Sequence, residues 1–96
     1  MLVFDGANLL DISGPLQALQ STSIASGIPR YETVVASFKG GLIETVANVS
    51  ILTVKMDELD PDGIDTVLIA GGSRNGRPIV PPEIVCWIQG AAPHAR

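Results

Sequence analysis

One cysteine, one histidine and a shortage of positive charge set the first limits on this chain of 96 residues. A lone Cys86 cannot form an internal disulfide, which excludes the stapled secreted scaffolds. His94 stands near a terminus after Pro93 and reads as solvated, not as a base. Nothing has the spacing of a metal-ligand set, and no cofactor is expected. Six Lys and Arg face ten Asp and Glu, giving a formal net charge of −4. Nucleic-acid binding needs a basic stripe that neutralises phosphates, and Lys39, Lys55, Arg74 and Arg77 are too scattered to form one. No run approaches the roughly 20 apolar residues of a membrane span, so no membrane partner is expected. "MLVFDGANLL" has neither the basic lead-in nor the small-residue cleavage site of a signal peptide, and a cytoplasmic location follows by default.

What is present is a core. Hydrophobic residues make up 46% and charged residues 17%, the balance of a packed domain and not of a disordered chain. The length allows one small domain at most.

The elements alternate. Leu2 to Phe4 is a short apolar run closed by the turn pair "DG", which predicts a buried strand. A strand at the very first residue is expected to have lost residues upstream. Ile12, Leu16 and Leu19 recur at helical spacing within a helix predicted over about 11–26. Pro15 is tolerable there only near the first turn, and Gly27 is the expected stop. "YETVVAS" (31–37) is rich in β-branched residues and predicts a second strand. Gly40–Gly41 turns the chain into an edge hairpin of 42–46 and 49–53. "KMDELDPDG" has room for a short helical turn. "DTVLIA" (65–70) is uniformly apolar and predicts a central parallel strand covered on both faces. Pro81, Pro82 and Glu83 open a last helix with Ile84, Trp87, Ile88 and Ala91 as its stripe. Such an order is the signature of an open α/β sheet.

In open α/β sheets ligands lie beyond the carboxyl ends of the parallel strands. Two such ends deliver Asp5, Gly6 and Asp11 on one side, and Gly71, Gly72 and Ser73 on the other. Gly71–Gly72 reads either as a tight turn or as a nest of backbone amides for an anion, the turn being the commoner outcome. Asp11 reads either as a helix-start acid satisfying orphan N–H groups or as a carboxylate placed for proton transfer, the former being commoner. Cys86 lies two positions after Ile84, off the apolar stripe and in mid-helix, and reads as an ordinary helix residue. "GGSRNG" lacks the lysine of a phosphate-binding Walker loop and does not have the G-x-G-x-x-G pattern.

"LVFDGANLLDISGPLQAL", "YETVVAS", "DTVLIAGG" and "WIQGAAPHAR" together resemble the ThiJ/PfpI superfamily, over nearly the whole chain. They are most similar to the amidase-like sensor domains at the front of AraC/XylS-type transcription regulators. The resemblance implies a class I glutamine amidotransferase-like, flavodoxin-like fold: an open parallel sheet with an edge hairpin. It implies that Asp11 is the acid approaching a reactive cysteine, a candidate acid/base. Gly71 and Gly72 would form the oxyanion turn, Asp5–Gly6 the turn after the first strand, and Gly14–Pro15 the helix signature. Gln17 stands where relatives often carry an acid. In relatives a segment like "APHAR" leads into the strand and sharp turn that bear the nucleophile, which implies that residues 1–96 are the N-terminal part of one domain. The helix-turn-helix modules of the regulators would follow downstream.

The expected function is therefore ligand sensing without catalysis, with Asp5, Gly6, Asp11, Gly71, Gly72 and Ser73 around a small polar metabolite. DNA would be reached only through a C-terminal domain, and a homodimer is expected. The alternative is part of an isocyanide-hydratase-like or amidase-like enzyme that uses a cysteine this chain does not contain.

Overall fold

The structure is a computed structural model that describes residues 1–78 and 81–95, leaving Arg96 of the closing "APHAR" segment outside the described residues. It is mixed α/β. Helix α1 spans Leu9–Ser26, followed by β1 (Ala36–Ser37), β2 (Gly41–Glu44) and β3 (Ser50–Lys55). Single 3-10 turns at Met56–Glu58 and Pro61–Gly63 precede a small hairpin, β4 (Ser73–Arg74) with β5 (Arg77–Pro78), and then α2 (Pro82–Ala91).

The main sheet has three strands in the order β1-β3-β2. β1 runs parallel to β3, and β2 runs antiparallel to it with Gly41 opposite Thr53 and Glu44 opposite Ser50. β2 and β3 form the expected hairpin. Asn48 takes a left-handed conformation, φ 58°, where the chain reverses, and an asparagine tolerates that region better than most residues. Thr53 Oγ1 donates to the Gly41 carbonyl at 2.7 Å, so the Ser37 hydroxyl must be the donor in its 2.6 Å bond to Thr53. These two buried hydroxyls tie β1 to β3 and satisfy one another.

Leu2 extends the architecture with parallel bridges to both Ala36 and Ile69. Its N–H donates to the Leu68 carbonyl at 2.7 Å, and its own carbonyl accepts from Ala70 N–H at 3.0 Å. On the other flank Val3 N–H donates to Ala36 O and Ala36 N–H to Met1 O, both at 2.9 Å. Leu2, Val3 and Phe4 are all buried, in one cluster with Ala7, Ile12, Ile43, Met56, Ala70 and Ile84.

Three expectations need correction. The strand predicted over 31–37 enters a ladder only at its end, where Ala36 and Ser37 pair with Val54 and Lys55 and Ala36 bridges to Leu2. The strand predicted over 65–70 is reduced to its contacts with Leu2, since β composition makes a strand only where a neighbour's backbone bonds to it. It is not covered on both faces either: Ala70 is buried but Ile69 is 50% exposed. In addition, α1 begins at Leu9, two residues earlier than predicted, which carries Pro15 well past the first turn. With no N–H to give, Pro15 cannot serve the Asp11 carbonyl four residues back.

The helices otherwise follow their patterns. Ile12 is buried, with Leu16 and Leu19 partly so, and Gly27 ends α1 in the left-handed conformation at φ 66°. Ile84 and Ala91 of α2 are buried, and Trp87 and Ile88 pack partly against the core. His94 is not simply solvated: its Nε2 lies 3.1 Å from the Asp62 carboxylate, which joins the end of α2 to the second 3-10 turn.

Ile12 is 2% exposed and among the largest fully buried side chains, so Ile12→Ala is expected to cost about 2–5 kcal/mol in urea unfolding, the range for aliphatic truncations in a packed core. Leu10→Ala in the same helix should fall within about 0.5 kcal/mol of the parent, because Leu10 is 77% exposed.

Candidate functional site

The carboxyl ends of the Leu2–Phe4 and 67–70 segments converge on one rim, and α1 starts there. Asn8 is the residue before the first helical turn, and its backbone N–H donates to the Gly71 carbonyl at 2.8 Å. Ala7 and Gly72 form an antiparallel bridge. The two loops that the sequence placed at a common rim are thus stitched together by their backbones.

The Asp11 carboxylate closes the contact. Its Oδ2 accepts from the Gly71 N–H at 3.1 Å, across 60 residues of sequence, and from Asn8 Nδ2 at 3.1 Å. Asp11 sits in the first turn of an 18-residue helix, where the dipole favours negative charge. It makes no cap bond; the residue preceding the helix, Asn8, has none from its side chain either. The carboxylate therefore serves none of the helix's own orphan N–H groups. It reaches out to the opposite loop instead.

Gly71 and Gly72 do not form a nest. A nest needs successive residues of opposite handedness, and neither glycine has a positive φ. Their requirement is space. A Cβ on Gly71 would lie 2.5 Å from Asp11 Oδ2, and one on Gly72 would lie 2.6 Å from the Gly6 carbonyl oxygen and 2.7 Å from the Phe4 ring. The Gly71 N–H, expected as a bare donor, is already held by Asp11.

The remaining candidates divide. Asp5 Oδ1 accepts from Glu44 N–H at 2.9 Å and Gly6 N–H donates to Glu44 O at 2.8 Å, so this turn is bound to the end of β2. Gly6 also abuts Gly72, whereas the Asp5 side chain turns to Glu44 and not to the Asp11–Gly71 pair. Ser73 is exposed at the start of β4. Cys86 is exposed on α2 and takes part in none of these bonds. Among the described residues, no group of three or more His, Cys, Asp or Glu is arranged to hold a metal ion, and no helix is long and apolar enough to cross a membrane.

Asn8 and the β4–β5 hairpin were missed from sequence. The role of Asn8 depends on a partner 63 positions away, Gly71. The hairpin did carry a signal. Asn75–Gly76, at φ 52° and 74°, is the two-residue turn whose left-handed pair matches strand twist, but "GGSRNG" was weighed only as a phosphate loop. No family model, no curated protein and no solved structure matches the chain.

Gly72→Ala should destabilise by about 1–3 kcal/mol, the cost of forcing atoms into a filled space, because the added methyl meets backbone and ring atoms. Gly14→Ala should do the reverse and stabilise by about 0.5–1 kcal/mol, since nothing lies within 4 Å of a Cβ there. Thermal unfolding of the pair tests the assignment through opposite signs.

Proposed function

We propose that this chain is the leading part of a ligand-sensing, amidase-like domain of the kind found in AraC/XylS-type transcription regulators. Its architecture would be flavodoxin-like, and its ligand a small polar metabolite bearing an amide or amino-acid group. One observation carries the reading: an acceptor, Asp11 Oδ2, and a donor, the Gly71 N–H, stand side by side at the rim and satisfy each other at 3.1 Å.

A primary amide complements both groups at once. Its NH2 donates to Asp11, and its carbonyl accepts the Gly71 N–H that Asp11 releases. The internal bond is solvent-exposed, so opening it costs only about 1 kcal/mol, the net worth of an ordinary hydrogen bond. The exchange then adds one bond. Asn8 Nδ2 stays on the carboxylate and keeps it oriented while the ligand enters.

The Asp11–Gly71 pair by itself supplies recognition. Acyl chemistry on an amide needs a nucleophile beside the donor, and the only cysteine, Cys86, is exposed in the middle of α2. DNA would be contacted through a separate basic module, in keeping with the net charge of −4. Ligand occupancy would bias the arrangement of such modules, in a homodimer, by as much as it favours one arrangement over the other.

Titration with glutamine, glycinamide and acetamide, followed by amide NMR, tests the site. At least one should shift the Gly71 N–H resonance saturably, and Asp11→Ala should weaken that binding at least tenfold. A Gly71 resonance that never responds, or responds equally in Asp11→Ala, would refute the reading.

A further inference from the structure

The turn of the β4–β5 hairpin carries chemistry of its own. The chain has three asparagines, Asn8, Asn48 and Asn75, and only Asn75 is followed by glycine. Asparagine is thermolabile because the backbone nitrogen of the next residue can attack its side chain and close a five-membered imide. That attack needs an unblocked nitrogen, a free carboxamide and a backbone that can rotate.

The three sites differ on each count. Asn8 Nδ2 donates to Asp11 Oδ2 at 3.1 Å, and the next residue, Leu9, opens α1, where the backbone is fixed. After Asn48 the nitrogen belongs to β-branched Val49 and donates to Thr45 Oγ1 at 3.3 Å. The Asn48 N–H is itself held by Thr45 O at 3.1 Å. Asn75 and Gly76 are exposed, and among the described residues neither the Asn75 side chain nor the Gly76 N–H has a hydrogen-bond partner. Gly76 brings no Cβ to block the approach. Ring closure does require the Asn75 backbone to rotate out of its left-handed turn conformation. The hairpin permits this. It is a separate sheet of two residue pairs, and a lone two-stranded hairpin is marginally stable in water.

We propose that Asn75–Gly76 is a self-modifying site, where the chain deamidates to isoaspartate and aspartate ahead of Asn8 and Asn48. This goes beyond the Asp11–Gly71 reading and does not rest on it. The Gly76 nitrogen loses its proton to solvent and attacks Asn75 Cγ. The N–Cγ bond forms, the Cγ–Nδ2 bond breaks, and the leaving nitrogen takes a proton from water to depart as ammonia. Water then adds to one of the two imide carbonyls. Opening at Cγ restores the original chain with aspartate at 75. Opening at the main-chain carbonyl of residue 75 routes the chain through Cβ and Cγ and leaves isoaspartate. Water is the only co-reactant, and nothing is oxidised or reduced. Either product adds one negative charge to a chain of net charge −4. Their effects on the fold differ. Aspartate-glycine suits the same two-residue turn, whereas isoaspartate lengthens the backbone by one carbon and removes the left-handed residue on which the turn is built. The isoaspartyl form therefore loses the hairpin, whose first strand begins directly after Gly72.

Incubation of the whole chain at neutral pH, followed by peptide mass spectrometry, tests the site. Asn75 should convert at least tenfold faster than Asn8 or Asn48. Raising the pH by one unit should speed conversion about tenfold, as the deprotonated fraction of a weak acid rises below its pKa. Both aspartate and isoaspartate should form, and hydroxylamine, which attacks imide carbonyls, should divert the intermediate into a hydroxamate at position 75. In Asn75→Gln, whose side chain would have to close a six-membered ring, conversion at this position should fall at least tenfold. Amide exchange across β4–β5 should speed in the separated isoaspartyl form while Leu2 and Val3 stay protected. Conversion of Asn8 or Asn48 at an equal rate overturns the proposal, as does aspartate as the sole product, which would mean direct hydrolysis. An Asn75 that survives in the folded chain and converts only in urea overturns it too, because the hairpin would then protect the site.

Discussion

Everything in this molecule hangs on the three-residue segment Leu2–Phe4. Leu2 exchanges both its backbone groups with 68–70, while Met1 and Val3 exchange theirs with Ala36. The flank that leads through β1 to β3 and β2 is thereby joined to the flank that leads to β4, β5 and α2. The segment's side chains are buried, and Val3 is wholly inaccessible. Buried backbone groups must find partners, and these residues find theirs on both sides. Through these bonds the segment sets the two flanks side by side, and the carboxyl ends of the parallel runs meet at one rim.

That rim is ordered by polar contacts of modest worth. The Asn8 N–H to Gly71 O bond and the Asp11 carboxylate hold the start of α1 to the loop after 67–70. Asp5 and Gly6 secure the intervening turn to β2, and Val46 N–H adds a bond to Ala7 O at 3.0 Å. Backbone pairs make the scaffold, and exposed side-chain bonds from Asp11 and Asp5 close it. Exposed bonds with few apolar contacts are the first to open in a native protein, so the Asp11–Gly71 contact can yield while Leu2–Phe4 stays paired.

How much of this could be read from sequence depended on how far each signal had to reach. The α2 stripe Ile84, Trp87, Ile88 and Ala91 is local, and it packs as its spacing predicts. The hairpin of β2 and β3 is equally local, with its turn a few residues from each strand. Convergence of the Asp11 and Gly71 loops was legible through a rule of topology: both follow parallel strands, and the ends of parallel strands share a rim. The shortened strands were not legible. "YETVVAS" and "DTVLIA" have strong β composition, but strand propensity describes fitness for a half-buried pleated surface. It does not report where a neighbour's backbone will bond to the segment.

The glycine pair shows how a correct position can carry a mistaken reason. A Gly-Gly sequence suggests conformational freedom, and from it follows the idea of amides curled around an anion. Gly71 and Gly72 use none of that freedom, having no positive φ. They are small because Asp11, Gly6 and Phe4 occupy the space where their side chains would be. The distinction changes the chemistry. A nest would offer a permanent positive pocket, indifferent to what else is near. A close approach creates a matched donor and acceptor in which the Gly71 N–H is available only when Asp11 Oδ2 releases it, and a group that supplies both a donor and an acceptor replaces that contact at the smallest cost. A simple anion does not: it would satisfy Gly71 but leave the Asp11 carboxylate repelled beside it. On the proposed reading, the steric origin of the glycines suits an amide better than an oxyanion at this rim.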